Sequence, residues 1–271
     1  MKILKKSLLP AIIILGTICT ISAQDIKINI GVRNSIQSEI LNETRSYIIH
    51  LPENYSSEKT YPFLYRLDGD AEQLAETLVT TNRLTYGDEI SPEIIIVAIE
   101  NTNRPRDMWP TNSTFYPEPY VAGAQKFMEF IESELIPHIE KKYHPGKRIL
   151  CGQSLSGVFA LYTFISNPQL FDSYLVISGA FPGCNDYFTQ LYNDSFNQPG
   201  RYAKRSIVIT NGLQDPLDPD GSFEQQIAVF SDLIHTKLKD QVRHQYMIYE
   251  NEGHVPYHSL YDGLKFIFAS E

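Results

Sequence analysis

The chain has 271 residues, of which 42% are hydrophobic and 20% charged, and its formal net charge is −9. That length and apolar content suit one large domain with a buried core, and exclude a disordered or fibrous chain. The acidic balance argues against a nucleic-acid partner, because its phosphates would be repelled.

The first residues, MKILKKSLLPAIIILGTICTISAQ, set Lys2, Lys5 and Lys6 before an apolar core, with Ile21-Ser22-Ala23 ahead of Gln24. This is the layout of a secretory signal. Residues 1–23 are therefore read as a signal segment, residues 24–271 as one domain, and the product as exported, periplasmic or secreted. The apolar run contains Pro10 and falls short of the ~20 residues of a spanning helix, so no stable membrane span is expected after cleavage. Cys19 would leave with the signal. Cys151 and Cys184 remain, and with Cys151 in a buried-strand pattern no bridge between them is expected.

Further along, TRSYIIHL and PFLYRLD read as strands around the polar, proline-bearing loop PENYSSEKTY. AEQLAETLVTTNRL has helical spacing, and EIIIVAIE is the near-continuous apolar run of a buried parallel strand. Residues 119–142 place Val121, Phe127, Ile131, Leu135 and Ile139 on one helical stripe, with Pro137 near its end. RIL with Cys151, FDSYLVISG, RSIVIT and RHQYMIYE read as further strands, and FEQQIAVFSDLIHTKL and SLYDGLKFIFAS as helices. Repeated strand-helix alternation predicts an α/β fold: a mostly parallel central sheet with helices on both faces.

Gly152-Gln153-Ser154-Leu155-Ser156-Gly157 falls at a strand-to-helix junction, where a G-x-S-x-G-type motif acquires chemical meaning. A tight turn there would lift the Ser154 hydroxyl above the sheet edge and aim the Leu155 N–H at a reacting centre, aided by the positive end of the helix. The motif's second glycine is Ser156 here, which raises the question of crowding. The competing reading is that Ser154 only caps the helix.

A serine hydroxyl needs a base, and usually an acid to orient that base. His254 follows the last strand in NEGHVPYHSLYDG, with His258 as its rival. The loop NGLQDPLDPDG offers Asp215, Asp218 and Asp220, of which Asp215 is nearest the strand end. The order Ser154, Asp215, His254 is that of α/β-hydrolases. The same carboxylates lack the alternation and distal glutamate of a calcium loop and read instead as a proline-rich solvated turn. Acyl transfer through a serine needs no metal and no organic cofactor, and none is expected. The loop after PFLYRLD supplies Asp68-Gly69-Asp70, and the Asp70 backbone N–H is a candidate second oxyanion donor; an ordinary Asp-Gly turn is the alternative.

Taken together, RSYIIHLPENY, YPFLYRLDGD, IIIVAIENTNRPRDMWP, CGQSLSG and GHVPYHSLYDGLKFIF resemble the esterase-D-like esterase family of α/β-hydrolases, which includes siderophore (enterobactin-type), feruloyl and acetyl esterases. The resemblance runs from about Ser38 to Phe268. It implies an α/β-hydrolase fold and a serine esterase acting on a small-molecule carboxylic ester through an acyl-enzyme. The substrate would be a siderophore lactone or a feruloyl or acetyl sugar ester. The roles it implies are Ser154 as nucleophile, His254 as base, and the Leu155 and Asp70 N–H groups as oxyanion hole. Asp215 follows less directly, since similar siderophore esterases can work as a Ser-His dyad. The family pattern also places Asn101, Arg104, Arg106, Asp107 and Pro110 in a loop beside the site, where Arg104 or Arg106 would hold an anionic substrate group, or else Arg106 would pair internally with an aspartate and shape the loop. In the aromatic-rich loops at residues 181–200 and 111–120, Tyr187 and Tyr192, with Phe188 and Phe196, would stack a substrate ring or simply pack the loop. An acyltransferase with the same residues, or a non-catalytic binding module on the same fold, are the alternative functions.

Overall fold

The computed structural model describes residues 28–113 and 121–269. The signal segment with Cys19, and most of the aromatic stretch at 111–120, lie outside the described residues.

Eight strands, β1 (Val32–Ser38), β2 (Glu43–His50), β3 (Tyr61–Arg66), β4 (Ile95–Ile99), β5 (Pro145–Gln153), β6 (Ser173–Ile177), β7 (Arg205–Gly212) and β8 (Val242–Tyr249), form one sheet in the order β1-β2-β4-β3-β5-β6-β7-β8. The β1/β2 and β2/β4 pairs are antiparallel and the other pairs are parallel. Helices α1 (Ala71–Asn82), α7 (Ser222–Leu238) and α8 (Ser259–Phe268) fall where the sequence predicts them, and α5 (Leu155–Ser166) opens at the predicted strand-to-helix junction. A helix runs from α3 (Ala124–Phe130) through a π turn, Ile131–Leu135, into α4 (Ile136–Glu140). Short α2 (Arg104–Met108) follows β4, and α6 (Asn185–Phe196) follows β6. This is the α/β-hydrolase arrangement.

Alternation along the central strands divides the core between the two faces of the sheet. Tyr65 packs with Phe127, Phe159 and Phe164 on one side, while Leu64 packs with Leu78, Leu175 and Leu264 on the other. Helix α5 is buried from Leu155 through Ile165, which explains why LSGVFALYTFI is apolar almost all round. The chain leaves β3 toward β4 on one side and reaches β5 on the other, so strand order reverses there. The carboxyl ends of β3 and β5 consequently flank a switch point, where ligands bind in sheets of this kind.

Three expectations are corrected. Strand β1 was not foreseen, because VRNSIQS is an edge strand with mostly polar, exposed positions and is held by its register with β2. Residues 185–196, read as part of a loop, form α6: Phe188 and Phe196 are buried, but Asn and Asp residues and the flanking Pro-Gly pairs mask the helical period. Val121, expected on the stripe of the long helix, precedes it and is 82% exposed, whereas Phe127, Ile131, Leu135 and Ile139 are buried. Cys151 and Cys184 are both buried free thiols.

His244 on β8 sits beside Ser231 of α7, its Nε2 3.2 Å from the Ser231 hydroxyl, and burial, with the nearby His235, lowers its pKa to about 4. An unfolded chain takes up that proton near pH 6.5. The native state therefore loses relative stability as the pH falls from about 6.5 towards 4, and keeps it above 6.5. Thermal melts across this range are expected to show a declining Tm, with a shallower decline for His244→Gln.

Candidate active site

The turn at Ser154 is tight. A Cβ on Gly152 would lie 2.1 Å from the Ser156 carbonyl oxygen, so glycine is what lets the end of β5 fold back against the first turn of α5. Ser154 itself has φ +53° and ψ −123°, a region that side chains seldom occupy and that costs about 1–3 kcal/mol. Its N–H donates to the Ile177 carbonyl at 2.8 Å, and its own carbonyl accepts from the Val158 N–H at 3.0 Å. Both backbone groups are therefore fixed, and the hydroxyl is presented at the carboxyl edge of the sheet. The side chain makes no capping hydrogen bond to the helix, which removes the capping role as its explanation.

Two other strand ends meet it there. Beyond β7, Asp215 is buried, and its Oδ1 accepts from the Leu217 N–H at 2.8 Å. Past β8, His254 lies with Nδ1 2.6 Å from Asp215 Oδ2 and Nε2 2.7 Å from Ser154 Oγ. The approach of the histidine loop depends on Gly212, where a Cβ would fall 2.1 Å from the Gly253 carbonyl oxygen. With a proton on Nδ1 donated to Asp215, Nε2 accepts the Ser154 hydroxyl proton. His258 stands at the start of α8, ringed by Tyr249 and Tyr257. Asp218 instead caps α7, accepting from the Phe223 and Glu224 N–H groups, each at 2.9 Å.

Leu155 is the first residue of α5, so its N–H has no partner one turn earlier in the helix. The Asp70 N–H, expected as the second oxyanion donor, donates to the Asp68 carbonyl at 2.9 Å, while the Asp70 carboxylate caps α1 through the Gln73 N–H at 2.9 Å. In this structure that donor is turned into its own loop.

The loop is instead anchored through Asp68. This residue is buried at φ +54° and accepts from Arg104 Nε at 2.7 Å and Nη2 at 2.8 Å, from Asn101 at 2.7 Å and from the Ser156 hydroxyl at 2.8 Å. Burial alone would raise its carboxyl, but the hydrogen bonds and charge of Arg104, with Asn101 and Ser156, outweigh burial and hold it below the ordinary value. Ser156 also accepts from the Gln153 N–H at 2.8 Å, so the serine in place of the motif's second glycine joins the elbow to the loop after β3. Beneath it, the buried guanidinium of Arg66 donates to Gln73 at 2.7 Å and to Gln153 at 2.5 Å, a second tie between the same two segments. Ser156→Ala removes a buried hydrogen bond to a charged group. It is expected to cost about 2 kcal/mol, read in a thermal melt as a Tm lower by about 4–8 °C.

Arg104 and Arg106, either of which was a candidate for an anionic substrate group, both make ion pairs within the protein, and for Arg106 this is the internal pairing with an aspartate given as the alternative. Arg104 is paired with Asp68, and Arg106 with Glu43 at 2.6 Å and with Asp107 at 2.6 Å. Arg106's hydrogen bonds, working against burial and aided by Arg45, bring Glu43 down to about 2. Arg45 and Asp107 form a buried pair at 2.6 Å, which makes the segment from Asn101 to Trp109 a fixed wall. Nor are the two tyrosines gathered at Ser154. Tyr187 lies edge-on to Phe188, and Tyr192 packs against Phe196 and Phe230 and lines a separate cavity between α6 and α7.

The pocket that opens on Ser154 and His254 has a volume of about 60 Å³ and is walled by Trp109, Leu155, Val158, Ala180, Leu217 and Phe223, together with Pro182 and Ser178. Sequence reasoning missed Trp109, although it stands in the quoted loop NTNRPRDMWP, and missed Ser178, although it directly follows the strand SYLVI. Among the described residues no group of His, Cys, Asp and Glu side chains is arranged to hold a metal ion, and no helix is long and apolar enough to cross a membrane.

Comparison with known proteins agrees with this fold. The chain is 29% identical over 154 residues to the ferri-bacillibactin esterase BesA of Bacillus subtilis, a match covering 49% of this chain and about half, 53%, of that protein. An IroE-like serine hydrolase from Shewanella oneidensis superposes with a TM-score of 0.79 at 29% identity, over 88% of this chain and 80% of that one. A ferulic acid esterase shares the fold, with a TM-score of 0.63 at 20% identity over 88% of this chain and 97% of the other. The family described as "Putative esterase" matches residues 38–252, and with its strand order and its serine elbow the chain belongs to that esterase family.

Proposed function

We propose that the protein is a serine esterase that hydrolyses a small carboxylic ester through an acyl-enzyme, with Ser154, His254 and Asp215 as its triad. The observation that carries this reading is the continuous relay of 2.7 Å from Ser154 Oγ to His254 and 2.6 Å from His254 to Asp215, mounted on a strained elbow.

In the first half-reaction His254 Nε2 takes the Ser154 proton as Oγ bonds to the ester carbonyl carbon. The Leu155 N–H stabilises the oxyanion, and the Asp70 N–H joins it once it is released from the Asp68 carbonyl. His254 then gives its proton to the departing alcohol. Water repeats the attack, freeing the acid and restoring Ser154. Asp215 fixes the imidazole and stabilises its charged form. A small, mainly apolar pocket supports a short acyl group. The relatives' names direct the first substrate panel to siderophore lactones and to feruloyl and acetyl esters. The lysine-rich start and Ile21-Ser22-Ala23 support export, with a mature chain beginning at Gln24.

The test is hydrolysis of p-nitrophenyl acetate by the full chain beside His254→Ala. Turnover that falls by at least roughly 10³-fold in the variant is expected; turnover retained in His254→Ala would overturn the reading.

A further inference from the structure

Ser178 follows β6 directly and has three properties that its place in the fold does not require together. Its φ is +49°, in the left-handed region, where glycine is the unstrained choice. It is 3% exposed, and among the described residues its hydroxyl has no hydrogen-bond partner. It also lines the pocket that opens on Ser154 and His254. Backbone bonds place it firmly: its N–H donates to the Thr210 carbonyl at 2.8 Å, and the carbonyl of Ile177 just before it accepts from the Ser154 N–H at 2.8 Å. The turn carrying Ser178 is thereby locked to the nucleophile elbow, and Gly157 packs against Ile177 and Gly179 on either side of it.

A buried hydroxyl left unpaired is destabilising, and so is the backbone conformation that holds it. Apart from Ser154 and His254, every other side chain lining that pocket, Trp109 included, is predominantly apolar. We propose that Ser178 is a specificity-determining residue whose hydroxyl pairs with a polar substituent of the acyl group next to the scissile carbonyl. The preferred substrates are then short hydroxyacyl or aminoacyl esters rather than plain alkanoates. The inference rests on the serine-esterase reading above. Its physical basis is asymmetric: an acyl group with a hydroxyl completes the pocket's hydrogen bonding, whereas an isosteric methyl leaves the Ser178 hydroxyl unpaired in an apolar wall.

The test compares ethyl glycolate with ethyl propionate, which differ by a hydroxyl in place of a methyl. Each is measured as kcat/KM with the full chain, with Ser178→Ala and with Ser178→Gly. The glycine variant relieves the backbone strain, so it folds even if the alanine variant does not. The readout is the change in the glycolate-to-propionate ratio, which cancels the intrinsic reactivity of the two esters. A ratio that falls about tenfold or more in both variants is expected. An unchanged ratio, or equal slowing of both esters as though Ser178 held the attacking water, would overturn the assignment. If the native chain turned over neither ester nor p-nitrophenyl acetate, the esterase reading itself would fail, and the inference with it.

Discussion

Ser154→Ala is expected to lower kcat for p-nitrophenyl acetate by at least roughly 10⁴-fold while leaving a folded protein. The reasoning is covalent. Without Oγ no acyl-enzyme forms, and the oxyanion donor can at best assist direct attack by water. Folding should survive, because the Ser154 side chain makes no capping bond and the elbow is held by backbone groups, with the N–H on Ile177 and the carbonyl on Val158. Deleting the hydroxyl removes function without removing these ties. A Tm within a few degrees of the native value, together with lost turnover, is the expected pair of results. Residual turnover above about one per cent would place the nucleophile elsewhere.

The second large effect concerns Asp215. Its carboxylate receives the Leu217 N–H on one oxygen and faces His254 Nδ1 at 2.6 Å on the other. An asparagine fits the same space, but its amide group can offer a donor to Nδ1. That favours the tautomer whose proton is on Nε2, facing Ser154, where it cannot accept the serine proton. Asp215→Asn is accordingly expected to lower kcat by roughly 10²–10⁴-fold with little change in KM. A Ser-His dyad would lose less than about tenfold. Steady-state kinetics of this variant separates the two arrangements.

The strand-helix alternation was legible because the central strands are buried on both faces and read as apolar runs, as in EIIIVAIE and SYLVI. Strand β1 and helix α6 were not, for opposite reasons. The first owes its form to its register with β2, and the second has its helical period diluted by Asn and Asp. The elbow, the histidine and the acid could be picked from the sequence because each follows a strand, and the topology carries those strand ends to one edge. What Arg104 does was illegible, since a guanidinium placed to bind an anion and one paired with Asp68 look alike until the loop after β3 is brought beside it. Ser156 shows the same limit. It looked like a departure from a glycine motif, and in the fold its hydroxyl joins Gln153 to Asp68.

Catalysis by this chain requires Ser154 to be an activated nucleophile, and a fluorophosphonate reports that activation by forming a covalent adduct. The full chain, treated and then mapped by mass spectrometry, is expected to carry one adduct, on the peptide containing Ser154, and to label far more slowly as His254→Ala. A folded native chain that resists the reagent, or that carries the adduct on another residue, would contradict that role of Ser154.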